Sequence, residues 1–214
     1  DAGTLATNSV DSAELIDGAI DNSHLASGVA SAWVYIARQT LGSDASAIEF
    51  IDGTAATNGT PDFGSDYAQI MFVLEHFTPA TDGSQSRLWI STDTGSSYLT
   101  SGYLSITSLV EGDGSGTEEI HLKATDSYRL GTTTHNDGTL GVNGNINLFN
   151  TSDTTRQPFA TWAITSSALG TKVKFYSGGA HHTTNQNVDA VKFGFDSGNV
   201  LAASEIRMYG LKAS

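Results

Sequence analysis

Carboxylates are the residues of this sequence best suited to acid–base chemistry, and their surroundings decide whether such chemistry is expected. A glycosidase needs two carboxyl groups at a fixed separation, one of them with a raised pKa. Asp93, Glu118 and Glu119 are the candidates for a polysaccharide-degrading site. Glu118 and Glu119 stand, like Asp113 and Asp137, in polar, Gly-rich stretches typical of solvated loops. An enzyme is therefore the least favoured function, and we predict no catalytic residue.

The six histidines do not form a recognisable metal site. None pairs at a ligand spacing such as H-x-x-x-H, and an extended chain would point His181 and His182 to opposite faces. The sequence also lacks the motifs of phosphate-binding loops, dinucleotide sites and serine nucleophiles. We therefore predict no cofactor and no bound metal, and interpret the stretch around His181 as a loop with contact residues.

A short motif after an apolar segment has the form of an Asp-box, S-x-D-x-G-x-x-aromatic. It reads STDTGSSY, from Ser91 to Tyr98. In this motif the Asp accepts hydrogen bonds from backbone amides of a hairpin turn, the Gly takes the corner, and the aromatic residue packs on the next strand. Asp93 is accordingly predicted to stabilise a turn and not to act as a catalytic acid.

Trp89 is the most informative candidate contact. In the segment QSRLWIS, Leu88 and Ile90 form the apolar face of a strand, so Trp89 shares the opposite face with Gln85 and Arg87. An aromatic side chain in this setting stacks on a sugar ring, packs against a neighbouring subunit, or is covered by a loop of its own domain. The residues that we predict to contact a glycan or an interface are Arg87, Trp89, Tyr98, Tyr103, His181 and His182.

Composition limits the classes of partner. The chain has 214 residues, a formal net charge of −13 and no Cys. Binding to nucleic acid or to anionic lipid needs clustered Lys and Arg, so both are disfavoured. No apolar run of about 18 residues is present, which argues against membrane insertion. The sequence begins at Asp1 and not at Met, which indicates processing or a longer parent chain.

The first part of the chain is built from a repeat. Val10–Ala19 and Ile20–Val29 share one pattern, in which an Asp is the N-cap of a short helix and a Gly ends it. Because helical turns this short do not persist alone in water, the repeat predicts a stalk of three parallel copies around one axis. A disordered acidic linker is the alternative. The apolar positions predicted to face the axis are Leu5, Val10, Leu15, Ile20 and Leu25.

From about Trp33 the pattern changes to short β-branched and aromatic segments separated by Gly, Asn, Asp and Ser. They are AWVYIAR, SAIEFID, YAQIMFVLEHF, SRLWIST, YLSITSL, EEIHLKA, NINLFN, FATWAIT, KVKFYS, NVDAVKFGFDSG and SEIRMYGLK. About ten strands favour one antiparallel sandwich, most simply a jelly roll. Trp162 alternates in phase with Ala160 and Ile164, which predicts a core position. We predict a mainly β chain, with a stalk at residues 1–31 and a jelly-roll-like β-sandwich at residues 32–214.

With these stretches identified, the chain resembles a family of tailed-bacteriophage virion proteins. The stalk is similar to the G-A-V-T-x-x-K-L-A-D type of repeat in phage fibre stems, with Asp11 and Asp21 in place of Thr and without the Lys. The stretches similar to the β-rich domain of such proteins are SDYAQIMFVLEHFTPATDGSQSRLWISTDTGSSY, GVNGNINLFNTSDTTR and VDAVKFGFDSGNVLAASEIRMYGLK. The resemblance implies a trimeric fibre or spike protein with RMYGLK at its C-terminus, and it supplies no catalytic residues.

The leading hypothesis is a non-enzymatic appendage, a tail fibre or head fibre, at the surface of the virion. Its stalk joins copies into a homotrimer and contacts other virion proteins, while its sandwich binds host-surface polysaccharide. The alternative is a purely structural capsid decoration that binds other virion subunits.

Overall fold

The computed structural model describes residues 32–112, 117–132, 134–168 and 172–213, without the side chains of residues 117–122 and 168. The predicted stalk positions, Leu5, Val10, Leu15, Ile20 and Leu25, lie outside the described residues. Within them the strands are β1 (Trp33–Thr40), β2 (Ile48–Ile51), β3 (Asn58–Gly59), β4 (Tyr67–Phe77), β5 (Ser86–Ser91), β6 (Tyr103–Gly112), β7 (Thr117–Ala124), β8 (Tyr128–Arg129), β9 (Val142–Phe149), β10 (Phe159–Ala168), β11 (Lys172–His182), β12 (Ala190–Phe195) and β13 (Glu205–Lys212).

Across the described residues these strands form two sheets. The large sheet has the order β3-β1-β13-β4-β9-β10-β11-β6-β7, and the small sheet has the order β2-β12-β5-β8. Neighbouring strands are antiparallel in both sheets. The first strand, β1, pairs with the last, β13, in a register that sets Trp33 opposite Leu211. The prediction of a mainly β, antiparallel fold is confirmed.

The two sheets pack face to face through aromatic side chains. Phe72 of the large sheet contacts two rings of the small sheet that also contact each other, with centroid distances of 5.2 Å to Phe50 and 5.0 Å to Phe193. Farther along, Phe77 stacks on Phe195 at 4.5 Å. These rings are buried because alternate residues of each strand point to the inner face. Burial of their apolar surface is the main stabilising contribution at this interface.

Alternation along β9 and β10 places the expected side chains in the core. Ile146 and Leu148 are buried, as are Ala160, Trp162 and Ile164. The prediction that Trp162 belongs to the core is confirmed. Its strand pairs with β9 on one side and β11 on the other, so Trp162 lies in the interior of the large sheet and not at an edge.

The inner face of β6 and β11 packs on β8 and the adjoining loop. Ser105 Oγ accepts a hydrogen bond from the Arg129 amide, and Thr107 Oγ1 donates one to the Arg129 carbonyl. Tyr176 donates its hydroxyl proton to the Thr132 carbonyl. The polar side chains on this inner face therefore satisfy backbone groups of the opposing layer, as burial requires.

Two interpretations of residues 118 and 119 arise from the sequence, a solvated loop and the strand EEIHLKA. The loop interpretation is wrong, because Glu118 and Glu119 lie in β7, where their backbone pairs with Glu111 and Val110 of β6. In the described part of the chain, no helix has the length and hydropathy needed to span a lipid bilayer.

Candidate functional site

The Asp-box forms the turn that its sequence predicts. Asp93 Oδ1 accepts a hydrogen bond from the Ser97 amide at 2.9 Å, and Ser97 Oγ donates to Oδ2 at 2.6 Å. Ser91 Oγ accepts from the amides of Asp93 and Gly95. Gly95 has a φ of 75°, a region that glycine adopts without steric cost. The motif therefore fixes the direction in which the chain leaves β5.

The Asp93 carboxylate is stabilised in its charged form by these bonds. The hydroxyl and amide of Ser97, with the hydroxyl of Ser91, hold the pKa of Asp93 below its ordinary value. A general acid of a glycosidase needs the opposite shift. The geometry supports a structural role for Asp93.

The turn delivers Tyr98 to the outward side of the small sheet, where it meets Trp89 and Lys192. Lys192 Nζ lies 4.9 Å from the Trp89 ring centroid and 4.5 Å from the Tyr98 ring centroid. Trp89 of β5 and Glu49 of β2 both pair with Lys192 of β12, so all three point outward. We call Glu49, Arg87, Trp89, Tyr98 and Lys192 the small-sheet face. All five are partly exposed.

Arg87 lies on the same face in a fixed orientation. Its Nη1 donates to Asp126 Oδ1 at 2.7 Å and to Ser127 Oγ at 2.8 Å, and its Nη2 donates to Gln85 at 2.9 Å. Arg129 pairs with Arg87 across β5 and β8. Burial, followed by the neighbouring Arg87 charge, lowers the pKa of Arg129. Arg87 and Arg129 therefore stand side by side next to the aromatic rings, with the Arg87 charge paired to Asp126.

The hydroxyl of Tyr98 is buried beside Glu49. Burial and the adjacent Glu49 carboxylate raise the pKa of Tyr98 well above its ordinary value. Trp89 packs close to the backbone of β12, since a Cβ at Gly194 would stand 3.3 Å from its ring. Aromatic rings, two cations and a carboxylate on one face provide both stacking surface and hydrogen-bonding groups for a polar ligand.

The prediction of a surface contact is wrong for Tyr103 and His182, because both side chains are buried. Tyr103 is 1% exposed, and its hydroxyl accepts from the Ile90 amide and donates to the Leu99 carbonyl. His182 is 5% exposed, and its Nε2 lies 3.0 Å from the Ser101 carbonyl. Tyr103 begins β6 and His182 ends β11. At these positions the buried backbone groups of the adjoining loops need hydrogen-bond partners, which the two side chains provide.

His181 and His182 point to opposite faces of β11, as expected for consecutive residues of a strand. Its ring lies 5.1 Å from that of Phe159, on the outward side of the large sheet. There, Leu104, Ile106 and His181 surround an apolar groove of about 600 Å³ over Gly179. The structure thus separates the predicted contacts: Arg87, Trp89 and Tyr98 come together on the small sheet, and His181 lies on the large sheet.

Two features were missed from the sequence. Lys192 alternates with the core residues Val191 and Phe193, and this pattern was sufficient to place it outward beside Trp89. The apolar groove had no such signal, because strand pairing, which a single sequence does not specify, brings β6, β11 and β10 side by side.

Carboxylates and histidines do not cluster in the described residues. No group of three or more His, Cys, Asp or Glu is arranged to hold a metal ion in that part of the chain. Hydrogen bonds lower the pKa of four described carboxyl groups. The principal donors are the Ser97 hydroxyl to Asp93, Lys172 to Glu111, the Thr139 amide to Asp137 and the Thr155 hydroxyl to Asp153.

Comparison of the chain with protein-family models, with curated proteins and with solved structures finds no match.

Proposed function

We propose that this protein is a non-enzymatic appendage of a bacteriophage virion, a tail fibre or head fibre. In this proposal residues 1–31 form a stalk that joins three copies and contacts other virion proteins. The β-sandwich is held outward at the particle surface and binds host-surface polysaccharide through the small-sheet face. The resemblance of the repeat to fibre stems supports the stalk, and the geometry of the small-sheet face supports the ligand.

The observation that carries the binding proposal is the contact of Lys192 with both Trp89 and Tyr98. A cation between two rings fixes the aromatic side chains without removing them from solvent. Glu49, opposite Lys192 on the neighbouring strand, offers a carboxylate that accepts hydrogen bonds from sugar hydroxyls, while Arg87 is held at the edge of the rings by Asp126, Ser127 and Gln85. Three such faces on one trimeric appendage would give high avidity through multivalency, even where a single site binds weakly.

The carboxyl groups support a non-enzymatic role. Glycosidases keep one carboxylic acid protonated by raising its pKa, whereas the pKa values of Asp93 and Glu111 are lowered by hydrogen bonds. Asp93 is also engaged by the turn that it stabilises. The lowered pKa values of these carboxyl groups favour a function in binding over one in acid–base hydrolysis.

The strand order supports a jelly-roll-like topology for the sandwich. Within the two sheets, the strand orders β1-β13-β4-β9 and β2-β12-β5-β8 support an eight-stranded jelly roll with two Greek keys. The hairpins β6–β7 and β10–β11, together with short β3, are then additions to one sheet. We propose this jelly-roll-like topology for the sandwich.

Glycan-array binding with the fluorescently labelled full chain tests the ligand. We expect binding to cell-surface polysaccharides of one bacterial host, reduced at least tenfold by Lys192→Gln and by Trp89→Ala. Tyr35→Ala is the matched control, since Tyr35 is an exposed aromatic residue on the large sheet. Unchanged binding by both small-sheet variants, with circular dichroism and melting temperature retained, would reject this face as the glycan site.

A purely structural capsid decoration is the second candidate, because the large sheet exposes an apolar face suited to protein contacts. Electron microscopy of the assembled particle separates the two. Density with the small-sheet face turned to solvent supports a receptor-binding appendage. Density with this face buried against capsid subunits supports decoration.

A further inference from the structure

The large sheet exposes a continuous group of large apolar side chains on its outward side. They are Leu104, Ile106 and Val110 of β6, Phe159 of β10, and Val173 and Phe175 of β11, with exposures between 41 and 67%. We call these six residues the outer apolar face. Register places them together, because Leu104 pairs with His181 and Val110 pairs with Phe175, while His181 pairs with Phe159. The groove over Gly179 lies among them.

The polarity of β6 and β11 is partly reversed relative to an ordinary surface strand, although Tyr103, Leu109 and Tyr176 still fill inward positions. In β6 the polar residues Ser105 and Thr107 point inward and are buried, whereas Leu104 and Ile106 point outward. In β11 Lys174 is buried, while its neighbour Phe175 is exposed. A sheet with one face in water normally alternates in the opposite sense. The reversal indicates that the outer apolar face is covered when the protein performs its function.

The same side of these strands lacks formal charge. The outward positions that the structure describes in β6, β10 and β11 carry no Asp, Glu, Lys or Arg, and beside them Lys123 of β7 pairs with Ile106 and lines the groove. That absence of charge is unusual in a chain whose formal net charge is −13. Identical acidic chains repel one another and approach most closely through faces without acidic side chains, whereas a basic partner would be attracted to the acidic ones. The absence of acidic side chains from the outward positions of these three strands therefore favours a second copy of this chain.

The size of the face fits an interface between protein subunits. Its six side chains expose on the order of 500 Å² of apolar surface, as large as the greatest patch of a typical monomer. The small Ser, Thr, Ala and Gly residues between them add to this area. A stable interface needs about 800 Å² from each partner, and the six apolar side chains alone supply more than half of that value.

We propose that the outer apolar face is where copies of this chain meet, with the faces of three copies turned toward a common axis. This inference rests on the self-association in the proposed function, and it does not depend on glycan binding. Burying the face also explains why apolar residues, and not Ser105 or Thr107, occupy its outward positions.

Site-specific labelling tests the proposal, because the chain has no Cys of its own. Ile106→Cys places one thiol in the outer apolar face, and Tyr35→Cys places a control on the same row of residues at the other end of the large sheet. The two positions are 50% and 42% exposed in a single chain. We expect maleimide to label the Ile106→Cys variant in the native full chain at least ten times more slowly than the Tyr35→Cys variant, with equal rates in denaturant.

Equal native rates in a full chain that light scattering shows to be trimeric would overturn the inference. So would slow labelling of position 106 in a monomeric chain, because residues of the same chain would then cover the face. Rapid labelling of the isolated protein that becomes slow on the assembled particle would assign the face to another virion subunit and also overturn it. A small-sheet variant that abolishes glycan binding leaves these labelling rates unchanged, so the two proposals fail independently.

A second measurement uses charge in place of a thiol. Ile106→Glu brings three carboxylates together if the faces meet, while Tyr35→Glu adds the same charge outside the face. We expect the Ile106→Glu chain to dissociate on dilution at a concentration at least ten times higher than the control. The stalk and the outer apolar face contribute additively to the free energy of association. The shift in dissociation concentration is therefore measurable even when the stalk also associates. Equal dissociation of the two variants would contradict the inference.

Discussion

The indole of Trp162 lies directly over Gly178, its partner on the neighbouring strand. An ideal Cβ at position 178 would stand 2.3 Å from two atoms of the indole. We therefore expect Gly178→Ala to destabilise the protein by about 1–3 kcal/mol through overpacking. Gly179→Ala is the control, since the nearest atom to its Cβ is a carbonyl oxygen at 3.8 Å. Chemical unfolding of both variants checks this, and equal stabilities would contradict the packing explanation.

Asp93→Asn should lower the melting temperature by a few degrees at neutral pH, because the charged acceptor of the turn is lost. The pKa of Asp93 is lowered in the folded state, so its contribution is present above the unfolded value of about 3.9 and disappears as pH falls through the folded value. The difference from the unmodified chain should therefore shrink below about pH 4. Asp82→Asn, at an exposed position, is the control. A difference that stays constant from about pH 2.5 to 7 would refute this account.

Glu111 should be more important for stability than an exposed ion pair. Its carboxylate lies 2.9 Å from Lys172 Nζ and 3.3 Å from that of Lys174, whose side chain is only 6% exposed. We expect Glu111→Gln to cost about 2 kcal/mol in urea unfolding at pH 7. Arg156→Gln is the control, because its ion pair with Asp153 is largely in solvent and should contribute little.

The same carboxylate makes part of the stability depend on pH. Hydrogen bonds from Lys172 and then Lys174 lower the pKa of Glu111, so its contribution is full above about 4.3 and is lost as pH falls through the folded value. The cost of Glu111→Gln should decrease in acid. A cost that grows as pH falls would have the wrong sign for this pairing.

Tyr103→Phe should destabilise the sandwich without affecting ligand binding. The buried hydroxyl bridges the Ile90 amide and the Leu99 carbonyl, and its removal leaves both groups without that partner at a cost of about 1–2 kcal/mol. Tyr35→Phe removes an exposed hydroxyl, 3.4 Å from the Asn58 carbonyl, and should change stability by less than about 0.5 kcal/mol. Loss of glycan binding by a correctly folded Tyr103→Phe chain would restore Tyr103 as a contact residue.

Strands were predictable from the sequence wherever alternation was sustained. The segments from AWVYIAR to SEIRMYGLK all contain strands, because β-branched and aromatic residues recur at period two between turn residues. Asn58–Gly59 and Tyr128–Arg129 were missed, since a strand of two residues has no period to detect. Their pairing is determined by the longer strands beside them.

The candidate site was only partly predictable, for a different reason. Alternation placed Trp89 and Arg87 on one face correctly, because their neighbours Leu88 and Ile90 are strongly apolar. In β6 the same reasoning fails, since Leu104 and Ile106 are apolar yet face outward. Which face of a strand is buried depends on the opposing layer, and here β8 supplies backbone groups that need the hydroxyls of Ser105 and Thr107.

The pairing of β1 with β13 has a consequence for synthesis on the ribosome. β13 lies between β1 and β4 in the large sheet, so the strands made first wait for the segment ending at Lys212 before their hydrogen bonds are complete. Until then β1 and β4 each have an open edge in the nascent chain. Closing a loop from Trp33 to Leu211 is also a slow step, because long-range pairing must overcome a large loss of chain entropy. We infer that the sandwich completes its folding only after Lys212 has left the ribosome, so that the proposed association of copies would follow folding and not precede it.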